Sequence, residues 1–284
     1  MSNLACPVFR YIMEFEFTKM HGTGNDFIVI DNRDKFFPAS DQKFIHHLCQ
    51  PHTGIGADGL LLLEHSQEAD FKMRYFNSDG YESEMCVNGS RCICYFSFFL
   101  KVIDRTHSFE AGDGLHSGYI LDNQQVRVQV NLHKKNDSRT FPVDFKLPNS
   151  ISFIDFLNTG VPHLVLRCDE IENIPVEDLG RQLRYHSYYA PEGTNVNFVH
   201  FTDPDSTLYV RTYERGVEAE TLSCGSGVTA SVLAVLNKYK NSRNLFPVST
   251  RGGRLIVQHE NHMISLEGPV KFIFRGTYIE EGIP

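Results

Sequence analysis

The pattern of apolar and polar residues predicts a protein of many short strands and few helices. Glu14 to Phe17 alternates polar and apolar residues as a half-buried strand does, and we expect the fold to start at Met13. Apolar runs at 27–30 and 60–63 follow Gly-rich turns and predict buried strands. Residues 40–50 predict a helix. Further strands are predicted at 72–77, 108–111, 117–121, 125–132 and 208–214.

Two longer segments are apolar on nearly every side. One is predicted to be helical from about Asn88 to Val102, and the other contains residues 228–236. A surface helix has one apolar face, whereas a helix that is apolar all round must be enclosed. Both segments are therefore expected to be central helices.

The order of motifs repeats along the chain. Thr159-Gly160 follows Thr23-Gly24 after 136 positions, and Cys224 follows Cys86 after 138 positions. Matches at intermediate positions keep the same order and nearly the same spacing, which indicates an internal duplication. Two similar domains related by pseudo-symmetry would face each other across a cleft, which is the usual place for a ligand.

The repeated motif with chemical potential is Glu-x-x-x-Cys-x-x-Gly. It contains Cys86 in the first copy and Cys224 in the second, and each cysteine precedes a Gly-rich first turn of a predicted helix. Free N–H groups at a helix start bind anions and lower the pKa of a thiol, so we expect both thiols to have pKa values nearer to neutrality. A carboxylate held between the two helix ends would place its α-carbon between two sulfurs. This arrangement suits racemisation or epimerisation by two bases.

Composition narrows the class of protein. A net charge of −8 and the lack of a Lys/Arg run argue against a nucleic-acid surface. Neither a membrane span nor a secretory signal is found, so we expect a cytoplasmic protein without a membrane partner. Seven cysteines in a chain of 284 residues favour reduced thiols. We interpret four of them as buried apolar residues: Cys49, Cys92, Cys94 and Cys168.

Other chemistries fit the cysteines less well than the two-base hypothesis. A Cys/His hydrolase could use His163 or His21 as base, but the second cysteine would have no role. Metal-ligand spacing is lacking, since Cys92 and Cys94 lie on a predicted helix, and neither a phosphate loop nor a dinucleotide fingerprint is present. A disulfide between Cys86 and Cys224 would be an oxidised, inactive form.

The motifs together resemble diaminopimelate epimerase, a cofactor-independent enzyme that interconverts LL- and meso-diaminopimelate in the synthesis of lysine and peptidoglycan precursors. The resemblance runs from Met13 almost to the C-terminus. It is carried by residues 20–27, 76–80, 86–92, 162–163, 213–216 and 224–227. Proline racemases and phenazine-pathway isomerases share the fold but not all of these stretches.

The resemblance implies an α+β fold of two similar pseudo-symmetric domains, each a mixed β-sheet or barrel around a central helix. Residues 1–12 would be an N-terminal extension, 13–132 the first domain and 133–270 the second, with 133–139 as the connector. The last strand, within 271–284, would return to the first domain. Family members usually form homodimers, and neither pyridoxal phosphate nor a metal is expected.

The resemblance also implies roles for individual residues. Cys86 and Cys224 would be the two acid/base thiols, with Glu214 and His163 supporting catalysis near the reacting amine. The remaining residues would bind substrate: the N–H groups of Val87, Asn88, Gly225 and Ser226 at the reacting carboxylate, Asn77, Asn195 and Arg215 at the far end, and Asn25 and Glu214 completing the pocket.

Three positions depart from the family pattern. Val87 replaces the usual glycine, Val161 a common asparagine and Gly59 a common glutamine. The last two normally touch the substrate. Two alternatives therefore stay open: a racemase or epimerase of another amino acid such as proline or hydroxyproline, and a non-catalytic amino-acid-binding or structural protein on the same scaffold.

Overall fold

The computed structural model describes residues 11–131, 139–203, 206–240, 243–261 and 263–282. The α-helices are α1 (Gln42–Cys49), α2 (Val87–Phe99), α3 (Val176–Arg184) and α4 (Gly225–Tyr239). The strands are β1 (Tyr11–Gly22), β2 (Asn25–Asp31), β3 (Gly59–Glu64), β4 (Phe71–Asn77), β5 (Glu82–Ser83), β6 (Thr106–Ala111), β7 (Gly114–Ile120), β8 (Gln125–Val130), β9 (Ile151–Asn158), β10 (Pro162–Cys168), β11 (Asn195–His200), β12 (Leu208–Glu214), β13 (Ala219–Thr221), β14 (Leu245–Thr250), β15 (Gly253–Glu260) and β16 (Met263–Gly282).

The strands of the first half close into a barrel around α2. Their order is β1-β2-β3-β4-β6-β7-β8-β16, and β16 pairs back with β1. The β2/β3 and β4/β6 pairs are parallel and the other neighbours are antiparallel. The barrel is therefore mixed, as expected.

The second half repeats this order of strand pairings. From β16 the sheet continues through β15, β14, β12, β11, β10 and β9. Its parallel pairs, β10/β11 and β12/β14, occupy the places of β2/β3 and β4/β6. The expected α+β fold with two pseudo-symmetric halves is confirmed.

The long strand β16 belongs to both halves. Residues 264–269 pair with β8, and from Val270 to Gly282 the strand pairs with β1. The return of the chain to the first half is thus present, as the resemblance implied. The β1/β16 pairing begins at Tyr11, two residues before the expected start at Met13.

The burial of β3 shows how the layers form. Leu61 and Leu63 face inward and join the core that surrounds α2, whereas Leu60 and Leu62 face outward under α1. Because helices cover both faces, all four leucines are fully buried and the strand lacks alternation.

Both central helices are enclosed, as their composition predicted. In α2 the buried positions run from Val87 through Ser97, interrupted only at Tyr95, and in α4 they include Val228, Val232 and Leu236. Enclosure fixes the N-termini of both helices. The surrounding sheets therefore position both cysteines.

Several boundaries differ from prediction by a few residues. The helix expected to end at Val102 ends at Phe99, and β8 ends at Val130 before most of the predicted connector, of which residues 133–138 lie outside the described ranges. Within the described ranges, no helix combines the length and apolar composition that crossing a membrane requires.

Candidate active site

A cavity of about 380 Å³ lies where strand ends and helix N-termini of the two halves meet. Polar side chains from both halves line it, together with the first turns of α2 and α4. All but one of the site residues expected from sequence line this cavity: Asn25, Asn77, Cys86, Val87, Asn88, Asn195, Glu214, Arg215, Cys224, Gly225 and Ser226.

Each central helix starts at a cysteine. Cys86 is the N-cap of α2, and its Sγ accepts the Gly89 N–H at 3.5 Å. Cys224 is the N-cap of α4, and its Sγ lies 3.4 Å from the Ser226 hydroxyl. The first N–H groups of a helix have no acceptor within it, so both helix ends present free donors to the cavity. Together they can hold one carboxylate.

The two helix ends are in direct contact. A Cβ added at Gly225 would lie only 2.8 Å from the Cβ of Val87. Real Cβ atoms do not approach this closely, so a glycine at 225 is what lets the ends meet. Val87 fills the space between them.

The glutamates of the duplicated motif have a structural role. Glu82 forms a two-bond ion pair with Arg74 at 2.7 and 2.8 Å, and Glu220 forms the equivalent pair with Arg211 at 2.7 Å for both bonds. Each pair ties the short strand before the cysteine to the preceding long strand. The glutamate of each motif thus anchors the short strand that leads into the helix. This anchoring accounts for the fixed spacing between the glutamate and the cysteine.

The thiol pKa values differ from the sequence-based expectation. Burial raises the pKa of the Cys86 thiol to about 11, even though the N–H groups of Gly89 and Asn88 act in the opposite direction. Burial, and then the negative charge of Glu214, raise the pKa of Cys224 further. The expected lowering was wrong, because the loss of hydration outweighs the effect of the helix N-terminus on the thiol pKa. Both thiols are protonated at neutral pH.

Glu214 is an acidic residue of the cavity whose charge acts on both thiols. Its carboxylate lines the same cavity as Cys224 and accepts the Thr221 hydroxyl at 2.8 Å, and its negative charge raises the pKa of the Cys224 thiol. Burial raises the pKa of Glu214 to about 7. Its charge therefore changes near neutral pH.

Asn25 faces the other sulfur. Its Nδ2 donates to Asp58 at 2.7 Å, which leaves Oδ1 to accept from Cys86 Sγ at 3.8 Å and Asn88 Nδ2 at 3.2 Å. Asp58 is in turn held by the backbone N–H of Asp26 at 3.1 Å. The carboxylate thus determines which end of the Asn25 amide faces Cys86. Asp58 was not identified from the sequence.

His163 is the expected site residue that lies behind the cavity wall. Its side chain is fully buried, and Asn197 Nδ2 lies 3.1 Å from its Nδ1. Burial and the charge of Arg215 lower the pKa of His163 to about 3, so the ring is neutral. Because His163 does not line the cavity, it would affect the reaction only by positioning residues that do.

A second group of polar residues lies around the start of β11 and the end of β12. The Asn195 amide donates to the Pro162 carbonyl and accepts the Arg215 backbone N–H, both at 2.9 Å. The Arg215 guanidinium donates to the Glu192 carbonyl at 3.2 Å. This half-buried cation is placed to bind a carboxylate. Asn195 mainly supports the turn that carries it.

The positions that depart from the family pattern differ in location. Val87 and Val161 line the cavity, whereas Gly59 lies behind Tyr75. Tyr75 lines the cavity and was missed from the sequence. The available signal was its place two residues before Asn77, which puts both side chains on one face of the strand.

The remaining cysteines behave as predicted. Cys49, Cys92, Cys94 and Cys168 are buried, and the six cysteines in the described ranges are free thiols. Cys6 lies outside the described residues.

Comparison with known sequences identifies close relatives. The family model described as diaminopimelate epimerase matches twice, at residues 17–135 and 156–273, in agreement with the duplication. Proteins named diaminopimelate epimerase from Flavobacterium psychrophilum and Hydrogenobaculum sp. are 43% and 39% identical over 91% of this chain, covering 98% and 96% of their own lengths.

Comparison with solved structures gives the fold. A hydroxyproline epimerase from Agrobacterium vitis matches with a TM-score of 0.68 at 15% identity, covering 96% of this chain and 95% of that one. A PhzF-family phenazine biosynthesis protein from Bacillus anthracis has the same score at 13% identity and covers 94% of this chain and 99% of that one. These distant similarities concern architecture alone.

Proposed function

Because the chain belongs to the diaminopimelate epimerase family, we propose that it converts LL- to meso-diaminopimelate by proton transfer between Cys86 and Cys224. Membership makes the protein an isomerase, and its reaction belongs to lysine biosynthesis. The single observation that carries the two-thiol proposal is that both cysteines are the N-cap residues of helices whose N-termini meet in one cavity.

The reacting carboxylate binds at the free N–H groups of Val87, Asn88, Gly225 and Ser226. This interaction strengthens as negative charge spreads from the α-carbon into the carboxylate. One sulfur, as thiolate, takes the α-proton, and the thiol on the opposite face returns its own proton to the α-carbon. The configuration inverts, no proton is gained or lost overall, and the two sulfurs exchange protonation states.

Formation of the thiolate needs a proton acceptor, because burial raises the pKa of both thiols and keeps them protonated at neutral pH. Glu214 is suited to this role, since it lines the same cavity as Cys224 and its pKa of about 7 allows it to take a proton at neutral pH. The neutral His163 would act from behind the wall by holding the β10 edge of the site.

The far end of the substrate requires a second grip. Arg215 offers a guanidinium for the distal carboxylate, and Asn77 offers an amide. Asn195 contributes by fixing the Arg215 backbone. The retention of these groups favours a substrate with a second amino-acid end over proline or hydroxyproline. A homodimer and a cytoplasmic location stay predictions.

The test is α-proton exchange in D₂O under reducing conditions. The protein is incubated separately with LL-diaminopimelate and L-proline, and deuterium uptake and stereoisomers are followed. We expect deuterium to enter only diaminopimelate, with the meso isomer appearing. Exchange with L-proline alone would show that the protein acts on another amino acid. The lack of exchange with either compound would favour a non-catalytic binding protein.

A further inference from the structure

The Tyr75 hydroxyl donates a hydrogen bond of 2.7 Å to Oδ1 of Asn77. The residues are two apart on β4, and both line the cavity. An asparagine amide can present either its oxygen or its NH₂ group to a ligand. With Oδ1 occupied by a donor, Nδ2 is the end left for the ligand.

The Tyr75 ring is held firmly enough to impose this choice. Its side chain is only 9% exposed, and its ring meets that of Phe27 edge to face at 6.2 Å. Burial raises the pKa of the Tyr75 hydroxyl well above its usual value. The hydroxyl therefore keeps its proton at neutral pH and remains a hydrogen-bond donor.

Gly59 makes room for the ring. It pairs with Asn77 across the β3/β4 ladder, and a Cβ at this position would lie 2.7 Å from Tyr75 Cε2 and 2.6 Å from the Phe76 carbonyl oxygen. A side chain at 59 would therefore collide with the backbone of β4 as well as with the ring of Tyr75. Gly59 and Tyr75 form one unit.

We propose that Tyr75 is a positioning residue for substrate specificity: it orients Asn77 as a hydrogen-bond donor and so selects a carboxylate at the distal end of the substrate. This inference rests on the proposed function, since it refines how the same site grips diaminopimelate. A substrate with only an ammonium group at that end would face the N–H donors of Asn77 and Arg215 and would bind poorly.

The test compares Tyr75→Phe with the wild type by α-deuterium exchange on LL-diaminopimelate. Phenylalanine keeps the ring and its packing but removes the donor. Because a hydrogen bond contributes about 1 kcal/mol net, we expect KM to rise roughly fivefold, with kcat within about twofold since the thiols are untouched. The matched control is Tyr81→Phe, on an exposed ring in the following turn, which should leave KM unchanged.

A double-mutant cycle separates orientation from packing. If Tyr75 acts through Asn77, then Tyr75→Phe should add no further rise in KM when Asn77 is already replaced by alanine. The same factor in both backgrounds would assign Tyr75 a merely structural role. It would overturn the inference.

Two further outcomes are distinguishable. An active wild type with an unchanged Tyr75→Phe variant would overturn the role of Tyr75 and leave the proposed function in place. A wild type inactive on diaminopimelate would overturn both.

Discussion

Asn88, in the first turn of the first central helix, donates a hydrogen bond of 2.9 Å from Nδ2 to the carbonyl of Ser223, the residue before Cys224. The bond is buried and joins residues 135 positions apart, one from each half. The Oδ1 atom of Asn88 accepts a hydrogen bond of 2.9 Å from the buried guanidinium of Arg91. A single side chain thereby connects the two helix starts, so the spacing between the sulfurs depends on packing across the cleft.

Replacement of either cysteine should stop the reaction. In Cys86→Ser or Cys224→Ser, a hydroxyl of much higher pKa replaces a thiol, and one of the two proton transfers fails. We expect kcat for epimerisation to fall roughly 10²- to 10⁴-fold, with little change in thermal stability. A Cys94→Ser variant serves as the control for cysteine loss. An active single mutant at 86 or 224 would contradict the two-base mechanism.

The contact between the helix ends can be tested at Gly225. A methyl group there would lie 2.8 Å from the Val87 Cβ, so the ends must separate in Gly225→Ala. A misplacement of about 1 Å can reduce the rate about 10²-fold, and a loss of that order in kcat is expected. Adding Val87→Gly should recover much of it by making space. Equal activity of Gly225→Ala and wild type would show that the spacing is not critical.

Activity should depend on pH through Glu214. Because burial raises its pKa to about 7, the carboxylate is neutral below this pH and cannot accept the Cys224 proton. We therefore expect kcat/KM to rise with pH through about 7 in the free enzyme. The measurement is a pH profile of epimerisation. In Glu214→Gln this rise should disappear along with most of the activity, and a rise that persists would assign it to another group.

Asp58 should influence the reaction although it does not touch Cys86. Its carboxylate holds Nδ2 of Asn25 at 2.7 Å, and its removal frees the Asn25 amide to turn. A hydrogen bond to a charged group contributes about 1.5–3 kcal/mol, so Asp58→Ala should reduce kcat by roughly 10- to 100-fold. Asp122→Ala, which breaks an exposed pair with Arg105, is the matched control and should keep full activity. Equal rates in both variants would exclude this positioning role.

The sequence alone was sufficient for the duplicated halves, the enclosed central helices and the placement of both cysteines at helix starts. These features follow from local periodicity, Gly-rich turns and spacing, which neighbouring residues encode. Because Cys86 and Cys224 occupy equivalent positions in the two repeats, the sequence predicts that both face one site. The resemblance to one family rested on the same stretches.

Tertiary structure alone decided the properties that depend on distant neighbours. The thiol pKa values rise because burial removes hydration, and no motif records how deeply a cavity is buried. Asp58 and Tyr75 act on amides that lie beside them only after β2, β3 and β4 have paired. The local pattern determined which groups are present in the site. Long-range packing determined their orientation and their protonation.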